Sequence, residues 1–127
     1  MPDHKLGSNH TFSDLMKAYK ADPQADDDAH FLLYRGEELL ALCLRYKFNP
    51  KPGEVWVGDE TKVARRGESL AALKDKKALP LYYSPRNRNL YEFKGQQLII
   101  DDTTDPKELA QRKGPVPLSR IVVLKKA

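Results

Sequence analysis

The stretch FLLYRGEELLALCLRYKF, residues 31–48, is the strongest apolar block in the chain, and its conformation decides the fold. Two interpretations compete for it. Residues 37–42 (EELLAL) are good helix formers, so the first interpretation is a helix that begins at Gly36. The second is a β-hairpin that turns at the same glycine.

The hairpin interpretation depends on a two-residue periodicity. Large apolar side chains recur at every second position from Leu40 to Tyr46, which is the period of a strand. Strands near 31–35 and 38–47 would be joined by a tight turn at Gly36, because glycine adopts turn conformations without steric cost. We favour the hairpin.

Further elements are predicted outward from this block. Short apolar runs between turn signals predict strands at residues 54–58, 79–84, 90–93, 97–101 and 120–125. Helices are predicted at 12–20 and 67–77, and a third begins where Asp105 caps Pro106. Because no βαβ rhythm repeats, the predicted class is α+β, with a small mixed, largely antiparallel sheet or barrel and three short helices.

One hydrophobic core is expected to hold the inward side chains of these strands. Its predicted members are Leu40, Leu42, Leu44, Val55, Val57, Leu81, Leu98, Ile100, Ile121 and Val123. The chain of 127 residues has room for one domain. We therefore expect a flexible tail at residues 1–10 and a single domain at residues 11–127.

Composition excludes several classes of protein. No apolar run approaches the roughly 20 residues that span a bilayer, so no membrane partner is expected. Cys43 is the single cysteine, which excludes an intramolecular disulfide and a four-cysteine zinc site. No cofactor, metal site or catalytic residue is assigned, and a reducing cytoplasm is the expected location.

The positive charge is concentrated in one window of the sequence. The net charge is +4, yet residues 61–90 carry eight basic and two acidic side chains, a local charge of +6. Such a cluster attracts polyanions, which points to DNA or RNA as the partner. Arg65 and Arg66 precede the helix predicted from Gly67, where the free amides of a helix start would add to a phosphate site.

Basic and aromatic side chains also alternate across the predicted hairpin tip. The candidate nucleic-acid-binding residues there, beside Arg65 and Arg66, are Tyr82, Tyr83, Arg86, Asn87, Arg88 and Tyr91. Arginine pairs with phosphates or guanine, asparagine pairs with adenine, and tyrosine offers a stacking face. The alternative is an exposed turn whose flanking tyrosines fill the core.

The stretch from Glu54 to Leu98 carries a family resemblance. It contains EVWVGD, a basic helix and then PLYYSPRNRNLYEFKGQQLI. This arrangement resembles the β-barrel of the PUA-like superfamily, which includes the SRA, EVE and ASCH-type domains. The resemblance implies a small barrel and a nucleic-acid-binding module that reads a modified base in a pocket of aromatic and polar side chains. It assigns no individual pocket residue.

Two other functions stay open beside this non-catalytic binding module. A protein-interaction or immunity-type protein would dock a partner through the acidic residues 22–28 and the basic window. A Mg²⁺-dependent nuclease would use Glu92 and Lys94, an E-x-K pair, with Asp59 as a second carboxylate. We rank nucleic-acid binding first, protein docking second and the nuclease third.

Overall fold

Seven strands and three helices form the part of the chain that the structure, a computed structural model, describes: residues 2–23, 32–86 and 89–127. The strands are β1 (Asn9–His10), β2 (Leu32–Arg35), β3 (Glu38–Arg45), β4 (Glu54–Gly58), β5 (Ala78–Ser84), β6 (Tyr91–Thr103) and β7 (Leu118–Lys126). The helices are α1 (Phe12–Tyr19), α2 (Thr61–Ala71) and α3 (Pro106–Ala110).

The strands make one mixed sheet that curls into a half-barrel. Their order is β2-β3-β5-β6-β7-β4, and β1 pairs with β6 beside this path. Strands β3 and β5 run parallel, whereas the other described pairs are antiparallel. The predicted α+β class with a largely antiparallel mixed sheet is confirmed.

The hairpin interpretation of the apolar block is confirmed, and the helix is excluded. Strands β2 and β3 pair in antiparallel register from Leu32 opposite Leu42 to Arg35 opposite Glu38. Gly36 turns the chain with φ 59°, in the left-handed region that glycine adopts readily. The block is apolar at nearly every position because both faces of β3 are covered.

Two hydrophobic cores lie on the two faces of the sheet. The α2 core consists of Leu32, Leu39, Leu42, Leu44, Val55, Val57, Val63, Leu70, Leu79, Ile99, Val122 and Leu124. The α1 core consists of Leu15, Tyr19, Leu33, Leu40, Ala41, Cys43, Tyr82 and Tyr91. The expectation of a single core is therefore wrong, since Leu40 packs with α1 while Leu42 packs with α2.

Strand β6 differs most from its prediction. The sequence predicts two strands separated at Gly95, but one strand continues through it as a β-bulge with φ +90°. Leu81 pairs with Gly95 and Tyr82 pairs with Phe93, so Lys94 is the extra residue of the bulge.

Two irregularities in β6 change which side chains face the α2 core. A second shift near Ile100 follows the bulge, because Ile99 pairs with Leu124 and Asp101 pairs with Val123. Ile99 is fully buried, whereas Ile100 is 36% exposed. The predicted burial of Ile100 is wrong for this reason, and Leu81, Leu98 and Val123 are only half-buried.

Helix α2 begins at Thr61, six residues before the predicted start. Gly67 lies inside the helix, where a Cβ atom would stand only 2.4 Å from Cγ1 of Val57. This glycine therefore permits close packing of α2 on β4 and does not start a helix. Arg65 and Arg66 are in the middle of α2, so the proposed anion site at a helix start is wrong.

The other helix signals agree with the structure. Thr11 caps α1 by accepting a hydrogen bond from the Asp14 amide at 3.1 Å. Asp105 caps α3 by accepting from the Lys107 amide at 3.0 Å, and Pro106 is the first helical residue. Short polar side chains at these positions satisfy amides that have no partner within the helix.

The first ten residues, expected to be a flexible tail, contact the sheet from His4 onward in several places. The Gly7 amide donates to the Phe93 carbonyl at 2.9 Å, and the Phe93 amide donates to the Ser8 carbonyl at 2.9 Å. Strand β1 continues this pairing opposite Tyr91 and Glu92. We call residues 2–10 the N-terminal strap.

We predict that Gly67→Ala destabilises the protein although alanine is the better helix former. The added methyl group would overlap the Val57 side chain, and such overpacking costs about 1–3 kcal/mol. Urea unfolding followed by circular dichroism measures the effect. The double variant Gly67→Ala/Val57→Ala should lose less stability than the sum of the two single variants, because the smaller side chain at position 57 removes the overlap. Unchanged or higher stability of Gly67→Ala would contradict the close packing.

Candidate functional site

A cavity of about 720 Å³ opens beside β5 and β6, next to the α2 core. Its apolar lining includes Leu44, Leu81, Tyr83, Phe93 and Leu124, although Phe93 also packs against the α1 core. The N-terminal strap adds Leu6 and Gly7 to the lining. The volume lies in the range of about 300–1,000 Å³ that is typical of small-ligand sites in proteins.

Tyr83 presents an anchored aromatic ring to this cavity. Its hydroxyl donates to the Asn49 carbonyl at 2.9 Å, and Asn49 in turn accepts from the Trp56 amide at 2.7 Å. Burial, followed by the neighbouring Tyr46, raises the pKa of Tyr83, so the hydroxyl stays protonated at neutral pH. The ring is half-buried and leaves part of its surface open.

Three lysines, Lys51, Lys94 and Lys126, line the cavity. Lys94 pairs with Glu92 at 3.0 Å, and Lys51 pairs with Glu54 at 3.3 Å. Lys126 forms no ion pair with any described residue. In the part of the chain that the structure describes, no carboxylate therefore neutralises Lys126.

Glu54 has a structural role at the edge of this cavity. Arg112 reaches its two carboxylate oxygens from Nε at 3.3 Å and from Nη2 at 3.0 Å, and Trp56 Nε1 donates at 2.9 Å. Burial by itself would raise the pKa of Glu54, but the hydrogen bonds from Arg112, Trp56 and Lys51 outweigh it and lower the pKa to about 2. The pair joins the chain after α3 to β4, and its charge is already compensated.

Gln97 is a buried polar residue in the lining of the cavity. It is only 7% exposed, and its amide makes no hydrogen bond to any residue in the described ranges. Fully enclosed side-chain polar atoms in that part of the chain all have partners, so the Gln97 amide must reach the open space of the cavity.

Two of the three predicted tyrosines belong to the α1 core. Tyr82 and Tyr91 are fully buried. The Tyr82 hydroxyl lies 2.7 Å from both His4 Nδ1 and the Tyr19 hydroxyl, and the Tyr91 hydroxyl accepts from Arg45 Nε at 2.9 Å. Neither ring has a face for a ligand. Tyr83 is the one of the three that lines the cavity.

The predicted arginines lie in separate places. Arg65 is exposed on α2, and the Arg66 guanidinium stacks 3.6 Å from the centre of the Tyr34 ring. Arg86 is exposed directly after Pro85, which lines the cavity. No described contact joins Arg86 to the two arginines of α2. Asn87 and Arg88 lie outside the described residues.

Two carboxylates of the alternative functions, Glu92 and Asp22, have local partners. Glu92 forms its ion pair with Lys94 inside the cavity. Within residues 2–23, 32–86 and 89–127, no three His, Cys, Asp or Glu side chains form a group that could hold a metal ion. Asp22 accepts from the Gly36 amide at 2.7 Å, while most of the acidic stretch 22–28 lies outside the described residues.

Sequence reasoning missed most of the cavity. Lys51, Gln97 and Lys126 come from three distant segments that the sheet brings together. One local signal existed, since Gln97 is a polar residue at the start of an apolar strand run. Its inward orientation follows from the bulge at Gly95, which the sequence predicts as a strand break.

Comparisons with family models, curated proteins and solved structures find no match to this chain. Among the described residues, no helix is both long and apolar enough to cross a bilayer. The geometry of the cavity therefore carries the functional argument.

The histidines of the N-terminal strap predict a pH-dependent stability. The His4 and His10 rings stack with centroids 3.9 Å apart, and His10 Nε2 lies 2.7 Å from the Ser8 hydroxyl. Burial and then His4 lower the pKa of His10, against a smaller opposing effect of Asp14. Because its pKa is lowered in the folded state, neutral His10 contributes to the free energy of unfolding. This contribution is complete above the unfolded pKa of 6.5 and is lost as pH falls through the lowered folded pKa.

We therefore expect the urea midpoint to fall between pH 7.5 and pH 5, and to fall less in His10→Gln, which cannot take up the proton. Equilibrium unfolding at a series of pH values checks this. The same variant at pH 7.5 gives the cost of the substitution itself. An identical pH dependence in the variant and the parent protein would contradict the role of His10.

Proposed function

We propose that this protein is a non-catalytic nucleic-acid-binding module that holds one base in the cavity beside β5 and β6. The observation that carries the proposal is the composition of that cavity: an apolar wall with the anchored Tyr83 ring, bordered by three lysines. A base requires an apolar slot with an aromatic face, and its phosphates require nearby cations.

The electrostatics of the lining favour an anionic ligand. Arg112 and Lys51 share Glu54, and Arg112 pairs with Glu108 as well. Glu92 and Lys94 compensate each other, so among the described residues Lys126 is the lysine of the lining without an ion pair. Arg86 stands exposed next to the lining residue Pro85. Arg65 and Arg66, on α2, contribute long-range attraction in this proposal and make no contact with the base.

The resemblance of residues 54–98 to PUA-like domains adds a modified base to the proposal. Such a base would bind in a pocket of aromatic and polar side chains, and the pocket we propose for it is the cavity lined by Tyr83 and Gln97. A base modification would add apolar volume, and the wall formed by Leu44, Leu81 and Leu124 is the surface on which such a group would gain contact. The proposed ligand class is therefore a nucleic acid with an extruded or unpaired base, either modified or not.

Tyr83 provides the first test. We expect Tyr83→Ala to weaken binding by about 5- to 150-fold, since stacking of one base on an aromatic ring contributes about 1–3 kcal/mol. Tyr83→Phe keeps the ring and should retain most of the affinity. Fluorescence anisotropy with labelled single strands, and with duplexes that carry modified or unmodified bases, measures the affinity.

Tyr82→Ala is the matched control because Tyr82 is the adjacent residue but is fully buried in the α1 core. This variant should lower the melting temperature and leave the affinity of the folded fraction unchanged. If Tyr83→Ala binds like the parent protein, the cavity does not hold a base.

Lys126 provides a second, independent test of the phosphate contact. Lys126→Gln should reduce the slope of log affinity against log salt by about 0.7 for a single strand or about 0.9 for B-DNA. Lys17→Gln is the control, because Lys17 is exposed on α1, on the opposite face of the sheet. Equal slopes for both variants would argue against phosphate binding at the cavity.

The two alternative functions are separate outcomes of these measurements. Absence of salt-dependent binding to DNA and RNA would favour the protein-docking function. Strand cleavage that requires Mg²⁺ and is lost in Glu92→Gln would favour the nuclease. The proposal predicts binding without cleavage in the presence of Mg²⁺.

A further inference from the structure

The side-chain amide of Gln97 makes no hydrogen bond to any described residue and opens onto the cavity. Amide donor and acceptor atoms that reach a cavity without a protein partner are available to pair with a ligand. The residue as a whole is only 7% exposed, and its backbone lies in the middle of a well-paired strand. Its amide therefore makes no hydrogen bond that stabilises the described part of the fold.

The fold nevertheless fixes where this amide points. The backbone of Gln97 is held from both sides, opposite Leu79 on β5 and opposite Lys126 on β7. The bulge at Gly95 determines on which face of the sheet the side chains of the following residues lie, and it places Gln97 on the face that lines the cavity. A leucine at this position would match the surrounding wall and would leave no amide to satisfy.

We propose that Gln97 is the residue that determines base preference, and that it pairs with the edge of an adenine in the cavity. This inference rests on the proposed function. The Gln97 amide offers an acceptor oxygen and N–H donors side by side, and glutamine pairs bidentately with adenine N6 and N7. Adenine carries such a donor–acceptor pair on two edges, N6 with N7 and N6 with N1.

In this proposal, the side chains that line the cavity contact different parts of the nucleic acid. Tyr83 stacks on the face of a base and is indifferent to its identity, because every base has a π-face. The lysines attract the backbone, which is the same for every sequence. Gln97 is the uncharged hydrogen-bonding side chain buried in the lining, so it is placed to distinguish base edges.

The experiment compares single strands of equal length that contain only adenine, only thymine or abasic sites. Fluorescence anisotropy at one salt concentration measures binding to the parent protein, Gln97→Leu and Gln97→Glu. We expect the parent protein to prefer adenine over thymine by roughly 5- to 150-fold, the range for one bidentate pair. Both variants should lose that preference and keep the salt-dependent binding of the thymine strand.

The two variants and a neighbouring control separate recognition from stability. Gln97→Leu removes no hydrogen bond to the described protein, so its melting temperature should equal or exceed that of the parent. Gln97→Glu keeps the shape but removes the donor that an adenine ring nitrogen requires. Gln96→Leu changes the adjacent exposed residue of β6 and should leave the adenine preference intact.

Each outcome has a distinct meaning. Salt-dependent binding with no adenine preference, or with a preference that survives in Gln97→Leu, would overturn the role of Gln97 and leave the proposed function standing. Absence of binding to every strand would overturn both. Loss of the preference in Gln97→Leu, with the melting temperature preserved, would support the inference.

Discussion

The bulge at Gly95 is the constraint on which the rest of the structure depends. Strand β6 pairs with β5, β7 and β1, so its shape governs the whole sheet. Gly95 adopts φ +90°, a conformation that residues with a side chain rarely adopt, and it lets the strand bend without ending. The same bulge directs Gln97 into the cavity.

Local sequence signals determined much of the fold. The hairpin could be predicted because Leu40 to Tyr46 keep a strand period and Gly36 permits the turn. The caps at Thr11 and Asp105 could be predicted because they act on amides only two or three residues away. Gly67 misled the prediction, since its role is contact with Val57 on a different element, and only the assembled structure reveals that contact.

The candidate site was harder to predict because its residues meet only in three dimensions. Tyr82 and Tyr83 are equivalent in the sequence, yet one is in the α1 core and the other lines the cavity. Alternation along a strand predicts that they face opposite sides but cannot determine which side has the cavity. Lys51 and Lys126 become neighbours of the site through the pairing of β4 with β7, which no local pattern shows.

The β4–β7 seam has a consequence for the dynamics of the protein. Val55 pairs with Val122, and the Leu124 amide donates to the Gly53 carbonyl at 2.8 Å, so this seam closes a very long loop. Strand β4 is at the end of the sheet, and its pairing with β7 carries the entropy cost of closing that loop. Gly53 and Leu124 also line the cavity, so opening of the seam would enlarge that cavity. The Glu54–Arg112 pair ties the chain after α3 to β4, so it opposes separation of β4 from the sheet at the edge of the cavity.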